Sequence, residues 1–106
     1  MNDVIAQSQI DCISRIGDRF SVTIQIERPY LAPSGEWACP VEMAGWHNAL
    51  QDIRGEDSMQ ALCLALTFVR QLLTSYVQDG GRVVVPGSDD DFPIDATFTS
   101  VGDSRL

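Results

Sequence analysis

The chain has 106 residues, 44% of them hydrophobic, which is apolar surface for one small core and too little for two, so residues 1–106 are read as a single domain. Its formal net charge is −8, and its seven basic residues, all Arg, are scattered from Arg15 to Arg105 with no stripe to follow a phosphate backbone. That excludes nucleic acid as the expected partner and favours encounter with a basic protein.

Taken in chain order, the N-terminal MNDVIAQSQI has neither a basic n-region nor an apolar h-region, so it does not read as a secretory signal. In QIDCISRI, Ile10, Cys12 and Ile16 share one alternation. In FSVTIQIER, residues 20–28, Val22, Ile24 and Ile26 alternate with Thr23, Gln25 and Glu27, the pattern of a half-buried strand. Gly17, Asp18 and Arg19 supply a short polar connection, so the two runs form an antiparallel hairpin. Pro29, Pro33 and Gly35 then punctuate RPYLAPSGE as a loop that cannot continue a ladder. WACPVEM follows as one strand, with Trp37, Cys39, Val41 and Met43 facing the core and Pro40 marking an edge or a bulge. A short fourth strand is expected at residues 48–54.

The helix is the clearest element. Asp57 to Gln60 reads as an N-cap with a capping-box partner, placing an acceptor and an anion at the positive end of the dipole. Stepping 100° per residue places Leu62, Phe68, Ala61, Leu72, Ala65, Tyr76, Val69, Leu73, Leu66 and Val77 on one apolar arc, with Leu64 alone on the polar side. The run from Met59 to Leu73 is broken by Gln60, Thr67, Arg70 and Gln71 and is too short to span a bilayer, so no membrane association is expected. Gly80 and Gly81 end the helix, RVVVPG is a short buried strand, SDDDF is an acidic loop, and one more strand is expected around Ala96 to Ser100. The fold class is α+β: two layers, an antiparallel sheet of four to five strands with one long helix packed on one face.

Chemistry is weighed next. Cys39, His47 and an acid such as Asp52 or Asp57 have the types needed for a nucleophile, a base and an orienting carboxylate. Their spacing does not demand it. Cys39 lies in an apolar alternation where a small hydrophobe is the default, and His47 lies in a polar connection. Cys12, Cys39 and Cys63 with His47 lack the close ligand pairs of structural zinc, and Asp89, Asp90 and Asp91 lack the alternating oxygens and turn Gly of a calcium loop. With no Lys, no G-x-S-x-G, no P-loop and no dinucleotide fingerprint, no catalytic residue, metal or cofactor is assigned. An odd set of Cys without close pairs fits reduced thiols and a cytoplasmic location.

The Trp-x-Cys strand at Trp37 and Cys39, together with GEDSMQALCLAL from Gly55 to Leu66, resembles a group of small, functionally uncharacterised bacterial proteins with a similar strand and a Gly-x-Asp-Ser-x-Gln-Ala-Leu helix start. The likeness covers roughly residues 20–85, implies a bacterial source and carries no known activity. The leading expectation is a non-catalytic protein-binding or accessory module, of immunity type, that neutralises a basic partner. Trp46 and Leu64 are its candidate contacts. The alternative is a small enzyme or small-ligand-binding domain with a pocket near Trp37, Cys39 and His47. Most of the sheet's second face is polar, so the chain is expected to be a monomer or a weak homodimer, with Trp46 and the edge carrying Pro40 as the modest interface.

Overall fold

The computed structural model of the protein describes residues 3–47 and 50–98. Strands β1 (Val4–Ile13) and β2 (Arg19–Glu27) form an antiparallel hairpin in which Ile10 faces Val22 and Ser8 faces Ile24. Val22, Ile24 and Ile26 are buried while Thr23, Gln25 and Glu27 remain partly wet, as the period-2 pattern requires. β1 begins well before the apolar alternation of Ile10 and Cys12, because the ladder to β2 holds residues 4–9 extended through a bulge between Val4 and Ala6. Ile16 does not join that alternation. It sits in the turn, 84% exposed, where the Ser14 N–H donates to the Asp18 carbonyl at 2.7 Å and the Asp18 N–H donates to Ser14 Oγ at 3.0 Å.

The next hairpin is bent. Pro29 ends β2 as expected, but Tyr30 and Leu31 resume a ladder as β3 (Tyr30–Leu31), pairing with Ala38 and Trp37 of β4 (Trp37–Cys39). The run 37–43 is therefore not one strand. Pro40 has no N–H for a ladder, and beyond it β5 (Val41–Ala44) leaves β3 and pairs with β2, Val41 opposite Ile26 and Met43 opposite Ile24. The registers on the two sides of the corner differ by one residue, so Glu27 and Arg28 both fall opposite Pro40, a bulge where a single long hairpin crosses from one sheet to another. The Glu27 N–H still donates to the Pro40 carbonyl at 3.0 Å.

The strand expected at residues 48–54 is shorter: β6 (Ile53–Gly55) pairs with β4, and residues 48 and 49 lie outside the described residues. Helix α1 (Ser58–Gln78) follows, then β7 (Arg82–Val84), which pairs with β1 from Asp11 to Ile13. Where a strand was expected near residues 96–100, α2 (Ile94–Thr97) is one helical turn, its carbonyls at Pro93 and Ile94 accepting from the N–H groups of Thr97 and Phe98; residues 99 and 100 lie outside the described residues. The architecture is α+β, with the strands divided between a four-stranded antiparallel sheet, β5-β2-β1-β7, and a three-stranded sheet, β3-β4-β6.

The start of α1 has a cap. Asp57, in an extended conformation, accepts the Gln60 N–H at 2.8 Å, and Gln60 Oε1 accepts the Glu56 N–H at 2.6 Å, so the pair satisfies donors on both sides of the cap. Ala61, Ala65, Val69 and Leu73 make one fully buried line at four-residue spacing, packed with Ile10, Cys12, Val22, Ile24, Cys39, Met43 and Val83. Ala61 and Ala65 are small, which lets the first half of the helix lie close to β4 and β6. Val77 is exposed instead of completing the apolar arc, while Tyr76 packs its ring against Gly81 and Trp46. Gly80, at φ 103°, turns the chain out of the helix where a side chain would be strained.

Candidate protein-binding face

Trp37 is half-buried and lines a groove of about 410 Å³ with Arg28, Pro29, Ser58, Met59 and Leu62 at the start of α1. Cys39, two residues on, is fully buried, and its thiol donates to the Glu27 carbonyl at 3.4 Å. Burial, aided by the negative charges of Asp52 and Glu27, pushes its pKa up to about 11, so at neutral pH it is a protonated thiol packed as a small hydrophobe. His47 stands beyond β5 with its ring 4.7 Å from that of Trp46, and neither it nor Cys39 lines the Trp37 groove. The two candidate acids are engaged elsewhere: Asp52 accepts the Tyr30 hydroxyl at 2.6 Å, and Asp57 caps α1. Cys12 is also buried and raised to about 11, while Cys63 is exposed on α1. Among the described residues no group of three or more His, Cys, Asp or Glu could hold a metal ion.

Trp46 folds inward, its ring edge-on to Tyr76 at 5.1 Å and packed against the core cluster. Leu64 is 43% exposed on the outer side of α1. Tyr76, beside Trp46, lies further along the same helix by about 18 Å at 1.5 Å per residue, so Trp46 and Leu64 are separate apolar spots.

The broad surface left open is the side of the larger sheet away from α1. Gln7, Gln9, Thr23, Gln25, Glu27 and Glu42 point to it, by their register opposite the buried alternation. Glu42 is paired with Gln25, and Glu27 lies two residues along β2, which makes the carboxylates diagonal neighbours at about 7–8 Å between Cα atoms. Among the described residues neither forms a salt bridge. At the β7 end the same face is covered. There Asp11, buried on β1, accepts from Arg19 Nε at 2.9 Å, Ser21 Oγ at 3.1 Å and the Gly87 N–H at 3.2 Å, and the Gly87 amide and Arg19 hold its carboxyl below the usual range. Arg19 also donates to the Ser88 carbonyl, and Arg82 to the Asp89 carbonyl and Asp91, so residues 85–91 are strapped over the end of the sheet.

Over residues 12–95 the sequence matches a domain of unknown function, DUF6968. The chain belongs to that family. No curated protein and no solved structure matches it. In this DUF6968 chain the matched span runs from the end of β1 through the bent hairpin and the helix start into α2, and it omits most of β1. The residues of the Gly-x-Asp-Ser stretch are explained by packing and capping: Gly55 lies against the first turn of α1, and Asp57 satisfies its amides. Sequence reasoning missed Asp11, because a polar residue in a strand alternation gives no sign that a remote loop will cover it. It also missed the Glu27 and Glu42 pair; their parity was readable, but their adjacency needed the register of β2 with β5. No helix among the described residues is long and apolar enough to cross a membrane.

Proposed function

We propose that this protein is a non-catalytic protein-binding module, of accessory or immunity type, that presents the open face of its larger sheet to a basic protein partner. The observation that carries this reading is the diagonal pair of Glu27 and Glu42, neither of which forms a salt bridge among the described residues, beside the uncharged polar side chains of Gln7, Gln9, Thr23 and Gln25. Two neighbouring carboxylates repel each other, and one guanidinium or ammonium placed between them by a partner relieves that repulsion while gaining two charge-assisted hydrogen bonds. The net charge of −8 steers such a partner toward the chain. The high thiol pKa of Cys39 and the separation of His47 from the Trp37 groove remove the support for a thiol-based enzyme.

The test is titration of isotope-labelled protein with a peptide rich in Arg and Lys, followed by amide shifts. Changes should concentrate at Thr23, Gln25, Glu27 and Glu42, and Glu42→Gln should weaken binding. Changes spread evenly over all acidic residues, or centred on Asp89, Asp90 and Asp91, would reject this face as the binding surface.

A further inference from the structure

We infer that a second copy of this chain pairs with the outer edge of β1, antiparallel and about a twofold axis at Gln7. β7 pairs with β1 only from Asp11 to Ile13, so from Val4 to Ile10 the side of β1 away from β2 has no partner strand among the described residues. The direction of the backbone groups follows from the ladder. The Val83 carbonyl accepts from Phe92 at 2.9 Å, so Val83 points its backbone groups away from β1, and Val84 therefore points its own toward Asp11. Alternation along β1 then aims the N–H and C=O of Gln9 and Gln7 outward, four groups that no strand among the described residues pairs.

Edges of this kind are ordinarily guarded by charge, proline or shortness. Residues 4–10, VIAQSQI, contain no charged residue, no Pro and no Gly in a chain of net charge −8, and Val4 and Ile5 are 39% and 47% exposed. A basic partner finds no charge to recognise here, whereas the stretch is complementary to itself. It is bounded by the start of β1 at Val4 and by β7 at Asp11, and its midpoint is Gln7. Antiparallel self-pairing over the whole stretch sets Gln7 opposite Gln7 of the second copy. Because Gln7 points its backbone groups outward, each of these residues donates its N–H to the other's carbonyl.

Beside the axis, small Ala6 meets Ser8 of the second copy on the helix side, next to the cavity that these two residues line with Thr97 and Phe98. On the polar side, Gln7 Oε1 already accepts from Gln25 Nε2 at 2.9 Å, so its own amide N–H groups remain to reach across the axis and make a row of four glutamines. The larger sheets then join, and their polar faces become one surface. The dimer does not depend on the proposed partner, since it uses the edge of the sheet and not Glu27 or Glu42.

The test is sedimentation of the full chain from about 1 to 200 µM, where an interface at the small end of the size range implies dissociation on the order of 10 µM. Gln7→Lys and Gln7→Glu each put like charges on the axis, and each should weaken association at least about tenfold with the unfolding midpoint unchanged. Mixed in equal amounts, with one variant isotope-labelled because the two have nearly equal masses, they should dimerise again, as heterodimers by native mass measurement. A wild type that stays monomeric throughout, a dimer indifferent to both substitutions, or a mixture that fails to recover would overturn the inference. So would Gln7 and Gln9 amides whose exchange protection is strong and independent of concentration, because another segment of the same chain would then cover the edge.

Discussion

Gly55→Ala isolates the contact that seats the helix on the smaller sheet. Gly55 is buried, and a Cβ built there would stand 2.6 Å from the Ala61 nitrogen, 2.9 Å from Ala61 Cα and 3.0 Å from the Gln60 carbonyl carbon, against an ordinary contact of 3.4–4 Å. All three are backbone atoms, so no side chain can swing aside. The turn that carries them is held by the Asp57 cap and by the bond from the Glu56 N–H to Gln60, so relief requires β6 and α1 to part and loosens the layer of Ala61 and Ala65. Overpacking of this kind costs about 1–3 kcal/mol, and a site with only backbone to yield belongs at the upper end. The narrower unfolded ensemble of Ala returns about 0.4–1 kcal/mol. The net loss is about 2 kcal/mol, which lowers the melting midpoint of a domain this size by roughly 8–16 °C. Circular dichroism melts and urea titrations measure it, with a lower midpoint and an unchanged m-value expected. Gly35→Ala is the comparison: nothing lies within 4 Å of its Cβ, but φ is 93°, where an L side chain is strained, so its cost of about 1 kcal/mol comes from backbone conformation and not from packing. A Gly55→Ala midpoint within about 3 °C of wild type would refute the packing argument.

Asp57→Ala should cost about 0.5–2 kcal/mol through the lost acceptor for the Gln60 amide, and an unchanged urea midpoint would mean that the helix start is stabilised by other bonds. In native protein at neutral pH a thiol reagent should modify Cys63 quickly and Cys12 and Cys39 slowly; rapid labelling of Cys39 contradicts the burial that raises its pKa. Asp11 has its pKa lowered by the Gly87 amide and Arg19, so its contribution to stability is present above the ordinary carboxylate value and is lost as pH falls through the lowered one. Asp11→Asn should therefore destabilise the protein at neutral pH, flatten its acid dependence and speed amide exchange at Gly87; an acid profile identical to wild type counts against the strap. The Tyr76 hydroxyl is buried without a hydrogen-bond partner among the described residues, so Tyr76→Phe should be neutral or stabilising by about 1 kcal/mol, and a clear loss in a thermal melt would show that the hydroxyl is satisfied.

The helix was legible because its signals are local. A cap at Asp57, a four-residue line of apolar side chains and glycines at its end all lie within the segment they define. The β2 alternation was legible for the same reason. The division into two sheets was not, although Pro29 and Pro40 both mark interruptions in the sequence. Each proline says that a ladder stops; only the pairing of the two segments says that both stops lie at one corner and that Tyr30 and Leu31 resume beyond it. The N-terminal half of β1 was invisible for a related reason, since residues 4–9 have no buried side to impose a pattern and are held extended by β2. Of the site candidates, the types at Trp37, Cys39 and His47 suggested chemistry, but convergence is a tertiary property that spacing does not encode.

The acidic character of the open face follows from where the arginines are used. Arg28 holds Asp3 at the N-terminal end, Arg54 holds Glu36 at the β3–β4 turn, Arg70 holds Asp95 and so ties α2 to α1, and Arg19 and Arg82 hold residues 85–91. Such exposed pairs add little stability individually, about 0–1 kcal/mol each. Their greater effect is on the distribution of charge. The charges of these five arginines are fixed at the ends and edges of the fold, and Glu27 and Glu42 form no salt bridge among the described residues. At physiological ionic strength the screening length is about 8 Å, comparable to the separation of these two residues and shorter than the distance across a small domain. They therefore act on a docked cation as one site, while carboxylates elsewhere on the surface contribute only to its long-range approach. A basic partner that docks here should associate more slowly as salt is added, and Glu42→Gln should remove much of that salt dependence. The fold, whose core is apolar, should be far less sensitive to salt.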